Sequence, residues 1–192
     1  DMRGGIKTLS IDYRVAPKNP FPAALEDAVA AYKWLLATGY EGKDIIVAGD
    51  SAGGGLSLAL GQFLRDNDML LPAGFVLMSP WTDLTASGVS YEENYTLDPM
   101  FGNTRESMIY SGEYLGGHSP KEPYISPLFG DFSKLPPMLF QVGGIEMLLS
   151  DSISAEKKAR EAGCKTNITI YEEMFHVFQM GLDKLEESKE AW

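Results

Sequence analysis

The chain has 192 residues with a formal net charge of −11, and 44% of its residues are hydrophobic. This length and composition are typical of one globular domain with a sizeable core, and no apolar run is long enough to cross a bilayer. The negative charge argues against nucleic acid or an anionic membrane as a partner, and a single cysteine, Cys164, excludes an internal disulfide.

Segments typical of strands and helices alternate along the chain. The apolar, β-branched stretch 6–13 predicts a strand, and a stripe of apolar side chains predicts a helix over 22–38. Residues 44–50 form a continuous apolar run, which predicts a strand covered on both faces of its sheet. A helix over 56–64 and a buried strand over 74–79 follow.

The stretch 81–137 is different, because prolines and polar residues break it into short pieces around one predicted helix near 104–115. We expect it to be an insertion over the sheet, with the role of a cap. After it the predicted order is strand, helix, strand and helix, over 138–142, 148–162, 166–171 and 177–192. This alternation predicts a single α/β domain over 1–192, with a mostly parallel sheet and helices on both faces.

One short motif points to chemistry. Gly49-Asp50-Ser51-Ala52-Gly53 satisfies the pattern G-x-S-x-G, with a predicted strand before it and a predicted helix after it. This is the context of a nucleophile elbow, in which the small residues Gly49 and Gly53 make room for a strained turn. The N–H of Ala52 would face a developing oxyanion. A structural glycine-rich turn is the alternative, whereas the glycine patterns of phosphate-binding loops are absent.

A serine nucleophile needs an imidazole base and an acid that orients it. The chain has two histidines. His118 lies in the irregular stretch, where we expect a solvated loop residue, while His176 lies between a predicted strand and a predicted helix and is the better candidate. Packing of His176 against neighbouring phenylalanines is the alternative. For the acid we favour Glu146, which directly follows a strand, over Asp151, which would cap the next helix.

Five separate stretches carry a more specific pattern. They are "DYRVAPKNPFPAALEDA", "GDSAGGGL", "SPWTDL", "SPLFGDFSKLPPMLFQVGG" and "MFHVF". Together they resemble the hormone-sensitive-lipase-like esterases of the α/β-hydrolase fold along nearly the whole chain. The resemblance implies that fold, with Ser51 as nucleophile, His176 as base and Glu146 as acid. Asp151 matches a second acidic position, which is not the triad acid.

One segment of that family has no match. Its H-G-G-G loop supplies most of the oxyanion hole, and "RGG" at 3–5 lacks the histidine and directly precedes a predicted strand. We therefore expect the chain to be the C-terminal portion of a longer protein, without its first strands and cap helices. Alone it would be weakly active, because only the Ala52 N–H would remain and each lost oxyanion donor costs about 10²–10³ in rate.

The resemblance implies a serine carboxylesterase that cleaves short-to-medium acyl esters through an acyl-enzyme, without a metal or organic cofactor. The insertion would roof the substrate pocket, and the aromatic and thioether side chains that would either line it or pack in the core are Trp81, Tyr91, Tyr95, Met100 and Phe101.

Three alternatives remain open. The same triad would support an amide or carbamate hydrolase. A non-catalytic ligand receptor of this fold is a second, although the retention of His176 argues against it. A structural remnant kept for association is the third, since the resemblance implies a homodimer through the last strand and helix, over 166–192. No export signal is evident, so we expect a cytoplasmic protein.

Overall fold

The computed structural model describes residues 5–102 and 112–192. Their strands form one four-stranded parallel sheet in the order β1-β2-β3-β4. The strands are β1 (Ile46–Asp50), β2 (Gly74–Met78), β3 (Met138–Gly143) and β4 (Thr166–Tyr171). Gly49 lies opposite Leu77, Leu77 opposite Phe140, and Phe140 opposite Ile168. The carboxyl ends of all four strands therefore meet at one edge of the sheet.

Six α-helices surround this sheet in the described ranges. They are α1 (Ala23–Ala37), α2 (Ala52–Asp66), α3 (Ser90–Glu93), α4 (Gly112–Leu115), α5 (Leu149–Glu161) and α6 (Glu186–Ala191). Short 3₁₀ helices occupy Gly42–Asp44, Pro127–Phe129 and Phe178–Lys184. None of the helices in the part of the chain that the structure describes combines the length and apolar character needed to span a membrane.

The main core lies between the sheet and helices α2 and α5. Leu58 of α2 and Ala155 of α5 join Phe75, Leu77 and Phe140 of the sheet in one buried cluster. A second cluster fills the space between α1 and α2. Since side chains alternate along a strand, Gln141 faces away from Phe140, and its Nε2 donates to the carbonyl of Ala191 in α6 (2.8 Å). The C-terminal segment therefore covers the opposite face of β3.

Three predicted elements differ from the structure. The strand predicted over 6–13 is irregular, because a strand needs a hydrogen-bonded neighbour and no described strand pairs with it. For the same reason β1 is an edge strand here, and Ile46 is 64% exposed rather than covered on both faces. The last helix predicted over 177–192 is broken at Leu182, where φ is 48° and ψ is −119°. Such a conformation ends a right-handed helix.

The stretch 81–137 contains no strand in its described part, only turns and short helices. Residues 104–111 of the helix predicted near 104–115 lie outside the described residues, and Gly112–Leu115 is helical. That this stretch acts as a cap stays a prediction.

Candidate active site

Ser51 occupies a strained turn between β1 and α2. Its backbone has φ 52° and ψ −122°, a combination that residues other than glycine rarely adopt. Holding the backbone in this conformation costs about 1–3 kcal/mol of free energy. Bonds on both sides hold the turn: the Ser51 N–H donates to the Met78 carbonyl (2.9 Å), and the Ser51 carbonyl accepts from the N–H of Trp81 (2.9 Å). The end of β2 therefore fixes the conformation of the serine.

Glycines around Ser51 permit close backbone approaches. A Cβ on Gly49 would collide with the carbonyl of Gly53, and one on Gly54 would lie 2.7 Å from Cβ of Pro80. Gly53 itself differs from the prediction, because a Cβ there meets none of the described atoms within 4 Å. The turn at Ser51 therefore requires glycine at 49 and 54. The prediction that Gly53 is needed to avoid a clash is wrong with respect to the described atoms.

The residues on either side of the serine have different surroundings. Asp50, the last residue of β1, is exposed. Ala52 is the first residue of α2, so its N–H belongs to the helix turn whose donors have no intrahelical acceptor. A cavity of about 230 Å³ lies beside it, and its largely apolar lining includes Leu56, Trp81 and Ile125. A donor N–H and a space for a small apolar group therefore lie next to Ser51.

Glu146 and His176 meet in the interior. Oε1 of Glu146 lies 3.3 Å from Nδ1 of His176, and the two residues are 0% and 3% exposed. The other carboxylate oxygen, Oε2, accepts from the hydroxyl of Ser79 (2.8 Å) and from the N–H of Gly143 (3.0 Å). These bonds offset the cost of burying the carboxylate and fix its plane toward the imidazole.

Ser79, which the sequence analysis did not single out, bonds to the Glu146–His176 pair. Its fully buried hydroxyl donates to Glu146 and accepts from the N–H of Val177 (3.1 Å), the residue after His176. It directly follows β2 and has a φ of 46°. The sequence signal was its position at a strand end, in the stretch "SPWTDL".

The far nitrogen of His176 has no partner in the described structure. Nε2 is buried without a hydrogen bond, so the Ser51 hydroxyl does not reach it in this conformation. Hydrogen bonds between catalytic groups are often long in unliganded proteins and tighten with substrate. The ring of Phe101 packs edge-on against the imidazole, with centroids 4.7 Å apart. The imidazole is thus held on two sides, with Nε2 left unpaired.

Asp151, the alternative acid, binds elsewhere. Its Oδ2 accepts from the N–H of Thr82 (2.7 Å) and of Asp83 (2.8 Å) and makes no described bond to His176. Burial raises its pKa to about 7, against the opposing effect of those N–H bonds. It lies in the first turn of α5, where its described bonds go to the loop after β2. The structure therefore pairs His176 with Glu146 and uses Asp151 to hold that loop.

The other candidates separate clearly. His118 is exposed, as expected for a loop residue, and its ring contacts Phe21 at 5.0 Å between centroids. Of the five apolar side chains proposed for a pocket, Trp81 lines the cavity, and Met100 is 51% exposed. Tyr91 is fully buried with Met147 and Leu148, and Tyr95 and Phe101 pack against the same cluster. Core packing therefore replaces the pocket role for Tyr91.

Known proteins resemble this chain over almost its full length. A model of the alpha/beta hydrolase fold family matches residues 3–180. An acetyl-hydrolase of Streptomyces hygroscopicus is 41% identical over 187 residues, which cover 97% of this chain and 62% of that protein. An esterase of Acinetobacter venetianus is 36% identical over 189 residues, 98% of this chain and 62% of that protein.

Solved structures agree with this. An esterase from the bacterial hormone-sensitive lipase family superposes with a TM-score of 0.91 at 46% identity, covering 94% of this chain and 60% of that one. The esterase EstE5, in crystals soaked with p-nitrophenyl butyrate, gives a TM-score of 0.89 at 43% identity, with the same coverage. The predicted α/β-hydrolase fold and the predicted family are confirmed. The chain spans about three fifths of the length of these relatives.

Proposed function

Because the chain belongs to the hormone-sensitive-lipase-like esterases of the α/β-hydrolase fold family, we propose that the intact protein is a serine carboxylesterase. Its substrates are short-to-medium acyl esters, with Ser51 as nucleophile, His176 as general base and Glu146 as the acid. The observation that carries the proposal is the buried contact of 3.3 Å between Glu146 and His176, at the sheet edge where Ser51 occupies its strained turn.

The buried carboxylate determines which imidazole nitrogen acts. Glu146 keeps the proton of His176 on Nδ1, so the lone pair of Nε2 is free to accept the proton of the Ser51 hydroxyl as it attacks the ester carbonyl. The imidazolium that forms is stabilised by the same carboxylate. A positioned general base contributes about 10²–10⁴ in rate.

The two half-reactions balance without a cofactor. In the first, the Ser51 oxygen bonds to the carbonyl carbon, the C–O bond to the alcohol breaks, and His176 returns the proton to the departing alkoxide oxygen. In the second, water attacks the acyl-enzyme while His176 accepts its proton and then returns it to Ser51. The N–H of Ala52 stabilises the oxyanion in both steps, and one such donor is worth about 10²–10³ in rate.

The relatives favour an ester over the alternative substrates. They are named acetyl-hydrolase and esterase, which points to acyl esters rather than amides or carbamates. The cavity beside Ala52, about 230 Å³, suits a short acyl or alcohol group. The buried pairing of His176 with Glu146 favours catalysis over ligand binding without turnover, because a receptor has no use for an oriented base.

We also infer a homodimer through 166–192. β4 is an edge strand of the described sheet, and Ile170 and Trp192 of this region are 42% and 64% exposed. A second copy of this region would cover these apolar side chains. The molar mass in solution tests this, and a monomeric mass at micromolar concentration contradicts it.

The test of the proposed function is Ser51→Ala, assayed on p-nitrophenyl acetate and butyrate with the intact protein. We expect kcat to fall about 10⁴-fold or more while the protein stays folded. Ser133→Ala is the matched control, because the described bond of its hydroxyl goes to Asp131 and the substitution leaves its backbone bonds in place. Unchanged turnover by Ser51→Ala would refute the proposal.

A further inference from the structure

The segment 94–102, which follows α3, lies against the turn that carries Glu146. Nδ2 of Asn94 donates to the carbonyl of Glu146 (2.9 Å) and to that of Gly144 (3.1 Å). Asn94 and Asp98 are 9% and 4% exposed, so water does not compete strongly for these bonds. The stretch predicted to act as a cap therefore also contacts the backbone of the catalytic acid.

One buried carboxylate in this segment makes bonds in two directions. Oδ2 of Asp98 accepts from the N–H of Met147 (2.8 Å), the residue that follows Glu146. Oδ1 of Asp98 accepts from the N–H of Met100 (2.8 Å) and of Phe101 (3.0 Å). Since the two oxygens belong to one planar group, the acid turn and the backbone of Phe101 are held at a fixed separation.

Phe101 transmits this constraint to the base. Its ring packs edge-on against the imidazole of His176, with an interplanar angle of 60°. Asp98 thus holds the backbone next to Glu146 through Met147, and it holds the ring next to His176 through Phe101. Asp98, Met147 and Phe101 do not line the cavity beside Ala52, so we expect these two links to act on the alignment of Glu146 with His176.

We propose that Asp98 is a positioning residue that aligns the Glu146–His176 pair, by bonding the backbone of Met147 with one carboxylate oxygen and that of Phe101 with the other. This inference rests on the proposed function, in which His176 is the general base. A misplacement of about 1 Å in such a pair is enough to cost about 10²-fold in rate.

Asp98→Asn tests the two-sided role sharply. The amide has one acceptor oxygen, so its NH₂ group must face either the Met147 N–H or the N–H groups of Met100 and Phe101. Either orientation sets donor against donor and breaks one link while preserving side-chain volume. We expect kcat for p-nitrophenyl butyrate to fall about 10- to 100-fold, with KM changed by less than about 2-fold.

The matched control is Asp131→Asn. Asp131 also accepts from a backbone N–H two residues ahead, that of Ser133 (2.8 Å), but it lies in an exposed turn without a bond to the acid or the base. Its kcat and KM are expected to equal those of the unmodified protein. Comparing the two variants distinguishes the effect of losing any carboxylate in a turn from the effect of losing the link between Asp98 and the backbone beside Glu146.

A spectroscopic readout distinguishes alignment from ordinary destabilisation. We expect the proton between Nδ1 of His176 and Glu146 to give a low-field proton NMR signal, identified by its absence in His176→Gln. We expect Asp98→Asn to shift or broaden this signal at a temperature where circular dichroism shows a folded protein. A normal kcat, or a reduced kcat with an unmoved signal, would overturn the proposal.

Two further arms keep the outcome decisive. If Asp98→Asn does not fold, Phe101→Leu is used instead, because it keeps the carboxylate of Asp98 and removes the aromatic ring. We expect it to lower kcat and to shift the same NMR signal. An unchanged kcat or an unchanged signal would overturn the proposal. If Ser51→Ala is as active as the unmodified protein, the proposed function fails. The NMR signal then still decides whether Asp98 aligns the pair, because it does not depend on turnover.

Discussion

Glu146→Gln is expected to nearly abolish turnover while leaving the fold intact. The Gly143 N–H lies 3.0 Å from Oε2 and is a fixed donor, so the amide oxygen of the variant must occupy that position. The NH₂ group then faces Nδ1 of His176 from the position of Oε1, 3.3 Å away. Two donors cannot face each other there, and Nδ1 must become an acceptor.

The magnitude follows from the tautomer. When Nδ1 accepts, the ring proton moves to Nε2, and that nitrogen has no lone pair with which to take the Ser51 proton. In a Ser-His-Asp triad, the corresponding change of the acid to its amide lowers kcat about 10⁴-fold, equivalent to about 5 kcal/mol of transition-state stabilisation. We expect that loss in kcat, with KM within about 2-fold because Glu146 is fully buried.

The assay is steady-state hydrolysis of p-nitrophenyl butyrate by the intact protein, with Asp151→Asn as the matched variant. Asp151 is as deeply buried as Glu146, but its Oδ2 accepts from the N–H groups of Thr82 and Asp83, so the amide of the variant keeps an oxygen for both of them. We expect less than a 10-fold loss for Asp151→Asn. If Glu146→Gln retains more activity than Asp151→Asn, the assignment of the acid is wrong.

Three further predictions concern the frame of the site. Gly49→Ala is expected to lower the free energy of unfolding by about 1–3 kcal/mol in urea titrations, because the added Cβ collides with the Gly53 carbonyl. Gly53→Ala is expected to change the free energy of unfolding by less than about 1 kcal/mol, and equal effects of the two substitutions would contradict the steric argument. Ser79→Ala removes the hydroxyl that joins Glu146 to Val177, and we expect kcat to fall about 10-fold and stability by about 1–3 kcal/mol; unchanged kinetics would refute its role. In the folded protein the pKa of Asp151 is about 7, above the ordinary 3.8, so between these pH values the folded state binds more protons and the contribution of Asp151 to stability falls as pH rises. The free energy of unfolding of Asp151→Asn should therefore increase relative to that of the unmodified protein from pH 4 to pH 7, by at most roughly 4 kcal/mol. A relative decrease would contradict the raised pKa.

The sequence predicted the elements whose signals are local. The strand over 166–171 is observed as Thr166–Tyr171, and the helix over 22–38 as Ala23–Ala37, because an alternating pattern and an apolar stripe identify them without knowledge of their neighbours. The stretch 6–13 has the apolar composition of a strand but no described partner, and pairing is a property of the whole fold rather than of the stretch.

The residues of the candidate site also differ in whether the sequence around them carries a local signal. Ser51, Glu146 and His176 could be singled out as candidates because each follows a predicted strand and because short motifs surround them. Ser79, Asn94 and Asp98 were not, since their roles depend on contacts with residues about 50 or more positions away, such as Ser79 with Glu146 and Asp98 with Met147. A serine, an asparagine and an aspartate in an irregular stretch carry no local signal that distinguishes them from turn residues.

The central claim is that Ser51 is a nucleophile activated by His176. The most direct measurement is intact mass after incubation with phenylmethylsulfonyl fluoride, a reagent that sulfonylates activated serines. We predict one adduct per chain located on Ser51, absent in Ser51→Ala and slowed at least about 10²-fold in His176→Ala. An adduct on another serine, or equal labelling of the protein and its His176→Ala variant, would contradict the account.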